Sequence, residues 1–300
     1  MNKLTFAFAG QPAGITQPQS VLSGLQGLLA LLTISLVFSL SACGTDSAAT
    51  GTAKQAEAQT STIMAKQSLT EWLDQQYEAE LQFSPVQMTF LGRKDRNNEI
   101  DEFTYEAFAK QMNWKQQSAQ QMQAQFDYSS LSDDEKLSYD LWKFQAQQMA
   151  DSAEFFHSGL TFDQMNGVQS FVPTFLINFH SVDTKADMQA YIARIKAVGP
   201  RMEEALTNAR TSSSNGVITP GFALDGVIEQ TKAIITGQPF ETVAGEDSDL
   251  WSDIKSEVAK LQEQDLVDTA TAESLLKEAR GALVNNLQPA YNNIVSWAET

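Results

Sequence analysis

The sequence predicts an all-α multi-helix array, and three observations carry that prediction. Apolar residues recur at spacings of three and four over most of the chain after residue 62. Helix-start signatures, Ser84-Pro85 and Ser132-Asp133-Asp134-Glu135 among them, punctuate the run. No segment alternates apolar and polar side chains long enough to demand a strand.

The chain ahead of the helices reads as an export signal. Residues 28–38 are apolar apart from Thr33 and Ser35, a length that suits a signal-peptide core and falls short of the ~20 residues a spanning helix needs. The run ends in Leu40-Ser41-Ala42-Cys43. Small residues let the chain enter a peptidase site in extended form, and a thiol at the cut accepts a lipid. The pattern resembles the bacterial lipoprotein signal, with Cys43, the only cysteine of the chain, as the lipid-bearing first residue after cleavage. The leader is long and its single positive charge is Lys3, so the alternative is an uncleaved anchor with an incidental cysteine. Gly44 follows the cysteine, which by resemblance to enterobacterial lipoproteins implies the outer membrane, periplasmic side. Residues 1–42 are thus assigned as signal peptide. Residues 43–61, small and polar, cannot offset the entropy of ordering a backbone and form a flexible tether.

The helical domain is assigned to residues 62–300. Ile63, Leu69, Trp72, Leu73, Tyr77 and Leu81 share one face of a first helix. Ser84 as cap and Pro85 in the first turn start a short second helix that Gly92 stops. After a charged loop at 93–101, Phe108, Met112, Ala119, Met122 and Phe126 mark a third. The capping box at Ser132 opens a fourth, its apolar side carried by Leu137, Leu141 and Phe144. Residues 162–179 are apolar and aromatic, interrupted by Asn166-Gly167 and Pro173, and predict a turn followed by a buried, bent helix. Thr184 caps the next helix, through Met188, Tyr191, Ile192 and Ile195, which Pro200 is expected to break or kink before a further helix ending at residues 212–216. Thr219-Pro220 starts another, reaching Gly237. Two longer helices are expected near 248–264 and 271–297, the last running to Thr300 without a stop signal, as though the chain were cut within an element.

The formal net charge is −17, and removal of the leader with Lys3 leaves 19 basic residues against 37 acidic ones, or −18. Such a surface repels phosphate backbones, so nucleic acid is not an expected partner. With Cys43 lipidated no thiol remains for a disulfide or a thiolate metal site. Catalytic groups are sparse: His157 and His180 stand at no helical repeat and neither belongs to an HExxH element. Both are expected at interfaces or caps. The phosphate-binding, dinucleotide-binding and nucleophile-elbow motifs are absent from the sequence. Acidic clusters such as Asp133, Asp134 and Glu135 sit where helices begin, answering the exposed N–H groups. Asn166, Gln169 and Arg194 differ, being polar groups among apolar neighbours that must find partners, and they are the candidates for lining a cleft.

Five short pieces in order, Ser84-Pro85 with Phe90-Leu91-Gly92, Asp163-Gln164 to Gly167, Tyr191-Ile192-Ala193-Arg194-Ile195, Gly216 with Pro220, and Pro289-Ala290-Tyr291, resemble the bacterial family called domain of unknown function 885. The resemblance covers residues 62–300. It implies a helical fold similar to zinc metallopeptidases, with many exported lipoproteins among its members. The family's metal motif, a His-Glu pair followed by a further His-His, belongs to a C-terminal half that this sequence does not contain. The resemblance therefore implies the N-terminal half of a larger helical zinc-peptidase-like fold, inactive by itself. Neither catalytic nor metal residues are assigned in this chain; zinc is expected only with the missing half. The implied partners are a membrane through the lipid on Cys43, and a peptide substrate or a separately encoded C-terminal half. The competing reading is a helical scaffold or binding lipoprotein without enzymatic activity.

Overall fold

The computed structural model describes residues 67–241 and 245–300. The segments expected to be signal peptide and tether, with Cys43 and Ile63, lie outside the described residues. Among the described residues ten α-helices follow one another with no strand; an isolated bridge joins Gln238 to Asp247. None of these helices is long and apolar enough to cross a membrane.

The helix starts follow local chemistry. Ser68 caps α1 (Leu69–Leu81) in a reciprocal box with Glu71, and Ser132 does the same with Glu135 for α4 (Asp133–Ser152). Ser84 caps α2 (Pro85–Phe90), whose first N–H is in any case lost to Pro85. Thr104 caps α3 (Tyr105–Gln125), and Gly167 precedes α5 (Val168–Phe179). Thr184 Oγ1 accepts from the N–H of Asp187 and donates to its carboxylate, opening α6 (Lys185–Ser214). Pro220 precedes α7 (Gly221–Ile234), and Ser248 caps α8 (Asp249–Glu263). Asp268 caps α9 (Thr269–Ala282), which continues through a wide π turn, Leu283–Leu287, into α10 (Gln288–Ala298).

Two hydrophobic cores form. The larger is built around α6, whose Met188, Tyr191, Ile192, Ile195, Val198, Met202 and Leu206 are buried against α5, α8, α9 and α10, while α7 joins it by packing on α5 and α10. The smaller joins α1, α3 and α4 through Leu69, Trp72, Ala119, Met122, Phe126, Tyr139, Trp142 and Ala146. Trp72 meets Phe126 and Trp142 edge-on, with ring centroids 5.9 and 6.4 Å apart. Such contacts add to the area that the rings bury.

Three expectations are corrected. Leu137, Leu141 and Phe144 do not face the core of α4: they are 62, 50 and 60 % exposed. Tyr139, Trp142 and Ala146 take the inner face instead. Two apolar stripes compete on this helix, and the one bearing the larger aromatic rings removes more surface from water. Pro200 neither breaks α6 nor starts a new helix; residues 185–214 form a single helix of 30 residues. The ring occupies an exposed position, so the Lys196 carbonyl that loses its intrahelical donor can turn to water. The last long helix is not one regular element either. Pro289 offers no N–H to the turn before it, and the backbone widens there into the π turn.

Candidate functional site

Arg194 is the most fully buried charged side chain of the larger core, with no exposed surface. Every nitrogen of its guanidinium has an acceptor. Nε donates to the Glu99 carbonyl at 2.9 Å, and Nη2 donates to Thr89 Oγ1 at 2.7 Å. Nη1 donates to Asn97 Oδ1 at 3.1 Å and to His180 Nδ1 at 2.7 Å. The plane also lies over the Phe175 ring, 4.9 Å from its centroid. One side chain on α6 therefore fastens α2, the charged loop at 93–101 and the end of α5. Asp101 adds to the fastening by accepting from Ser84 Oγ at 2.5 Å and the Val86 N–H at 2.9 Å. Burial lowers the Arg194 pKa to about 10, and it raises that of the Asp101 carboxyl.

The same contact fixes the imidazole. A guanidinium cannot accept, so His180 Nδ1 must hold its lone pair toward Arg194, and Nε2 carries the proton that it donates to the Asp187 carbonyl at 3.0 Å. Burial, with the neighbouring Arg194 charge, pushes the His180 pKa down to about 4. The ring is neutral at pH 7, yet its only basic lone pair is spent. His180 is thus a cap and a spacer, not a base.

His180 also walls a small polar cavity of about 340 Å³ between the α5–α6 turn and α8, lined by Ser181, Asp183, Glu257, Lys260 and Gln264. Behind that wall the Tyr191 hydroxyl donates to Asp253 Oδ2 at 2.9 Å, and burial raises the pKa of both groups. The phenol therefore keeps its proton and spends it on the Asp253 carboxylate.

Gln169 and Asn166 belong to a second node. Asp163 Oδ1 accepts from the N–H groups of Met165 and Asn166, which bends residues 163–167 into a tight turn. Asn166 is exposed on that turn. Gln169 is fully buried; its amide donates to the Asp163 carbonyl and to Gln230 Oε1, while its Oε1 has no hydrogen-bond partner. The buried Tyr291 hydroxyl donates to the Gln169 carbonyl at 2.8 Å. Two glycines allow these approaches. A Cβ on Gly167 would stand 2.1 Å from Gln169 Oε1 and 2.5 Å from the Asp163 carbonyl, and one on Gly226 would stand 2.7 Å from Gln164 Cβ. The structure brings Asn166 and Gln169 together in this node and places Arg194 in the other. Neither Gln169 nor Arg194 lines either of the two described cavities.

The larger cavity, a groove of about 810 Å³, runs between α1, α3 and α4. Its floor contains Lys115, which is buried, donates to Glu80 Oε2 at 2.7 Å and sits 3.2 Å from the Trp142 ring centroid. Burial lowers the Lys115 pKa despite that carboxylate. Sequence reasoning missed this residue, because a lysine between Trp114 and Gln116 shows neither of its partners, and Glu80 is 35 residues away.

The family resemblance implies zinc only together with a further segment, not on this chain's own residues. Among the described residues no three His, Cys, Asp or Glu side chains are grouped to hold a metal ion, and both ring nitrogens of His180 are engaged. What these nodes define is a helical framework whose polar groups hold elements together and whose open surface is a groove. The chain belongs to the family of bacterial proteins of unknown function DUF885, whose model matches residues 85–300. It is also similar in fold to a solved structure described as "the putative lipoprotein from Colwellia psychrerythraea", at a TM-score of 0.62 and 14 % identity. The likeness covers 78 % of this chain and 41 % of that one, so this chain spans about two fifths of the length of that protein. No curated protein matches the chain.

Proposed function

We propose that this is an exported lipoprotein, anchored through Cys43 to the outer membrane on the periplasmic side, whose helical domain forms the N-terminal half of a peptidase-like protein. The observation that carries the reading is the sequence Leu40-Ser41-Ala42-Cys43 directly behind an apolar core and ahead of a DUF885 domain. The alignment with two fifths of a longer lipoprotein supports the half-protein part of it. In this reading the domain supplies one wall of a substrate channel, and the metal and its base come from a further segment. The Arg194 and Gln169 nodes would keep that wall rigid.

Two experiments test it. Cells given a radioactive fatty acid should label the wild-type chain and not Cys43→Ser; equal labelling removes the anchor. The purified chain should take up far less than one zinc per molecule and cleave no peptide, and should gain both properties when co-expressed with a segment carrying the His-Glu and His-His motif. Stoichiometric zinc on the chain alone would overturn the half-enzyme reading. A second reading, a binding lipoprotein without enzymatic activity, is favoured by the groove between α1, α3 and α4.

A further inference from the structure

The groove has the dimensions of a seat for a helix. On α4 its lining residues are Ser138, Leu141, Gln145, Gln148 and Ser152, with Trp142 and Met149 beside them. Steps of three and four over 14 residues make a continuous seam about 21 Å long at 1.5 Å per residue, close to four helical turns. Facing it, α1 contributes Leu73 and Tyr77 one turn apart, and α3 contributes Phe108. The exposed Leu137 and Phe144 extend the apolar strip past the rim at Leu141. Apolar and aromatic walls alternating with amides and hydroxyls suit the apolar stripe of an amphipathic helix lying lengthwise.

The charges around the groove select its partner. Within it Lys115 and Glu80 neutralise each other, which leaves Asp74 as the remaining charged lining residue. α1 carries Glu71, Asp74, Glu78 and Glu80 and no basic residue. Asp134 stands one turn ahead of Ser138 on the seam, and Asp151 flanks its other end. The lysines of α4 are turned to the opposite flank, Lys136 lying 6.0 Å from the Tyr128 ring centroid and Lys143 5.7 Å from that of Tyr139. A second copy of this chain pairing α4 with α4 in antiparallel fashion would set the acidic ends Asp133-Asp134 and Asp151 against each other. A partner with lysines or arginines beside its apolar stripe meets opposite charge at both ends.

We propose that the α1–α3–α4 groove is a docking site for a basic amphipathic helix of about four turns on a partner protein. The site is independent of zinc and holds under either reading of the whole protein. The Trp142 edge and the Leu141–Met149 strip receive the apolar stripe, and Asp74, Asp134 and Asp151 face the basic flanks.

The test is calorimetric titration of the full chain with an 18-residue helical peptide of leucine and lysine arranged as one apolar stripe. Controls are a peptide of the same composition with the stripe scrambled and a stripe peptide of leucine and glutamate. The striped leucine–lysine peptide should bind at least tenfold more tightly than either control. Leu141→Asp should weaken it at least tenfold, and Gln148→Lys, an exposed change that leaves the core untouched, should weaken it several-fold. Phe222→Asp, at an apolar residue on α7 that is 71 % exposed, should leave it unchanged. Equal binding of the scrambled peptide, equal loss in Phe222→Asp, or a dimer of the chain that Leu141→Asp dissolves would each overturn the proposal.

Discussion

Arg194 Nη1 and His180 Nδ1 lie 2.7 Å apart, and because the arginine can donate but not accept, the contact assigns the imidazole one tautomer and removes it from base chemistry. The most conspicuous histidine of the described residues is thereby a structural part, held by the same guanidinium that reaches Thr89, Asn97 and Glu99.

Removing that guanidinium should be costly. Arg194→Met would leave Thr89 Oγ1, Asn97 Oδ1 and the Glu99 carbonyl without their donor, and Arg194→Lys cannot reach several directions from one nitrogen. A loss of at least about 2 kcal/mol is expected for either, since a buried group left unsatisfied costs about 1–3 kcal/mol, read from urea unfolding at pH 7. A loss under about 1 kcal/mol would show that water replaces the guanidinium at little cost.

Stability should fall with acidity through His180. Its folded pKa, about 4, lies below the ordinary value of 6.5, so the unfolded chain takes up a proton that the folded chain refuses. The histidine's contribution is complete above pH 6.5 and is lost as pH falls from there toward 4, about 3 kcal/mol in all. His180→Asn places an amide oxygen near the position of Nδ1 without titrating. Its urea midpoint should change less between pH 7 and pH 5 than that of the wild type, and parallel curves would contradict the assignment.

The two close-approach glycines should rank by what they meet. Gly226→Ala presses on the Gln164 side chain and should cost about 1–3 kcal/mol. Gly167→Ala meets the Asp163 backbone as well as Gln169 and should cost more. Hydrogen exchange of the Met165 and Asn166 amides, both bonded to Asp163, would report the loosened turn.

In the smaller core, Ser118 Oγ accepts from Trp142 Nε1 at 3.1 Å and donates to Gln76 Oε1 at 2.7 Å. Ser118→Ala should cost about 1–2 kcal/mol, because a buried indole N–H loses its acceptor. Ser138→Ala, at an exposed position in the groove between α1, α3 and α4, should be close to neutral in a urea unfolding assay.

Much of the helical outline was legible in the chain because helix starts are local. Ser84 before Pro85, Ser132 before Glu135 and Thr184 before Asp187 each act within three residues, and each caps as expected. The inner face of α4 was not legible. Leu137, Leu141 and Phe144 satisfy the helical period as well as Tyr139, Trp142 and Ala146 do, and the choice between them depends on α1 and α3. The Arg194 node was legible only in half. An arginine between Ala193 and Ile195 announces that partners are needed, but Thr89, Asn97 and Glu99 lie 95–105 residues earlier, beyond any periodic pattern.

The π turn at Leu283–Leu287 carries a further consequence. One additional residue in a helical turn rotates everything downstream by about 100°, so the orientation of α10 depends on that surplus. Deleting a single residue there would restore a regular spiral and swing the Tyr291 hydroxyl off the Gln169 carbonyl, detaching α10 from the turn that the two glycines shape. A one-residue surplus thus sets the phase in which α10 meets the rest of the core.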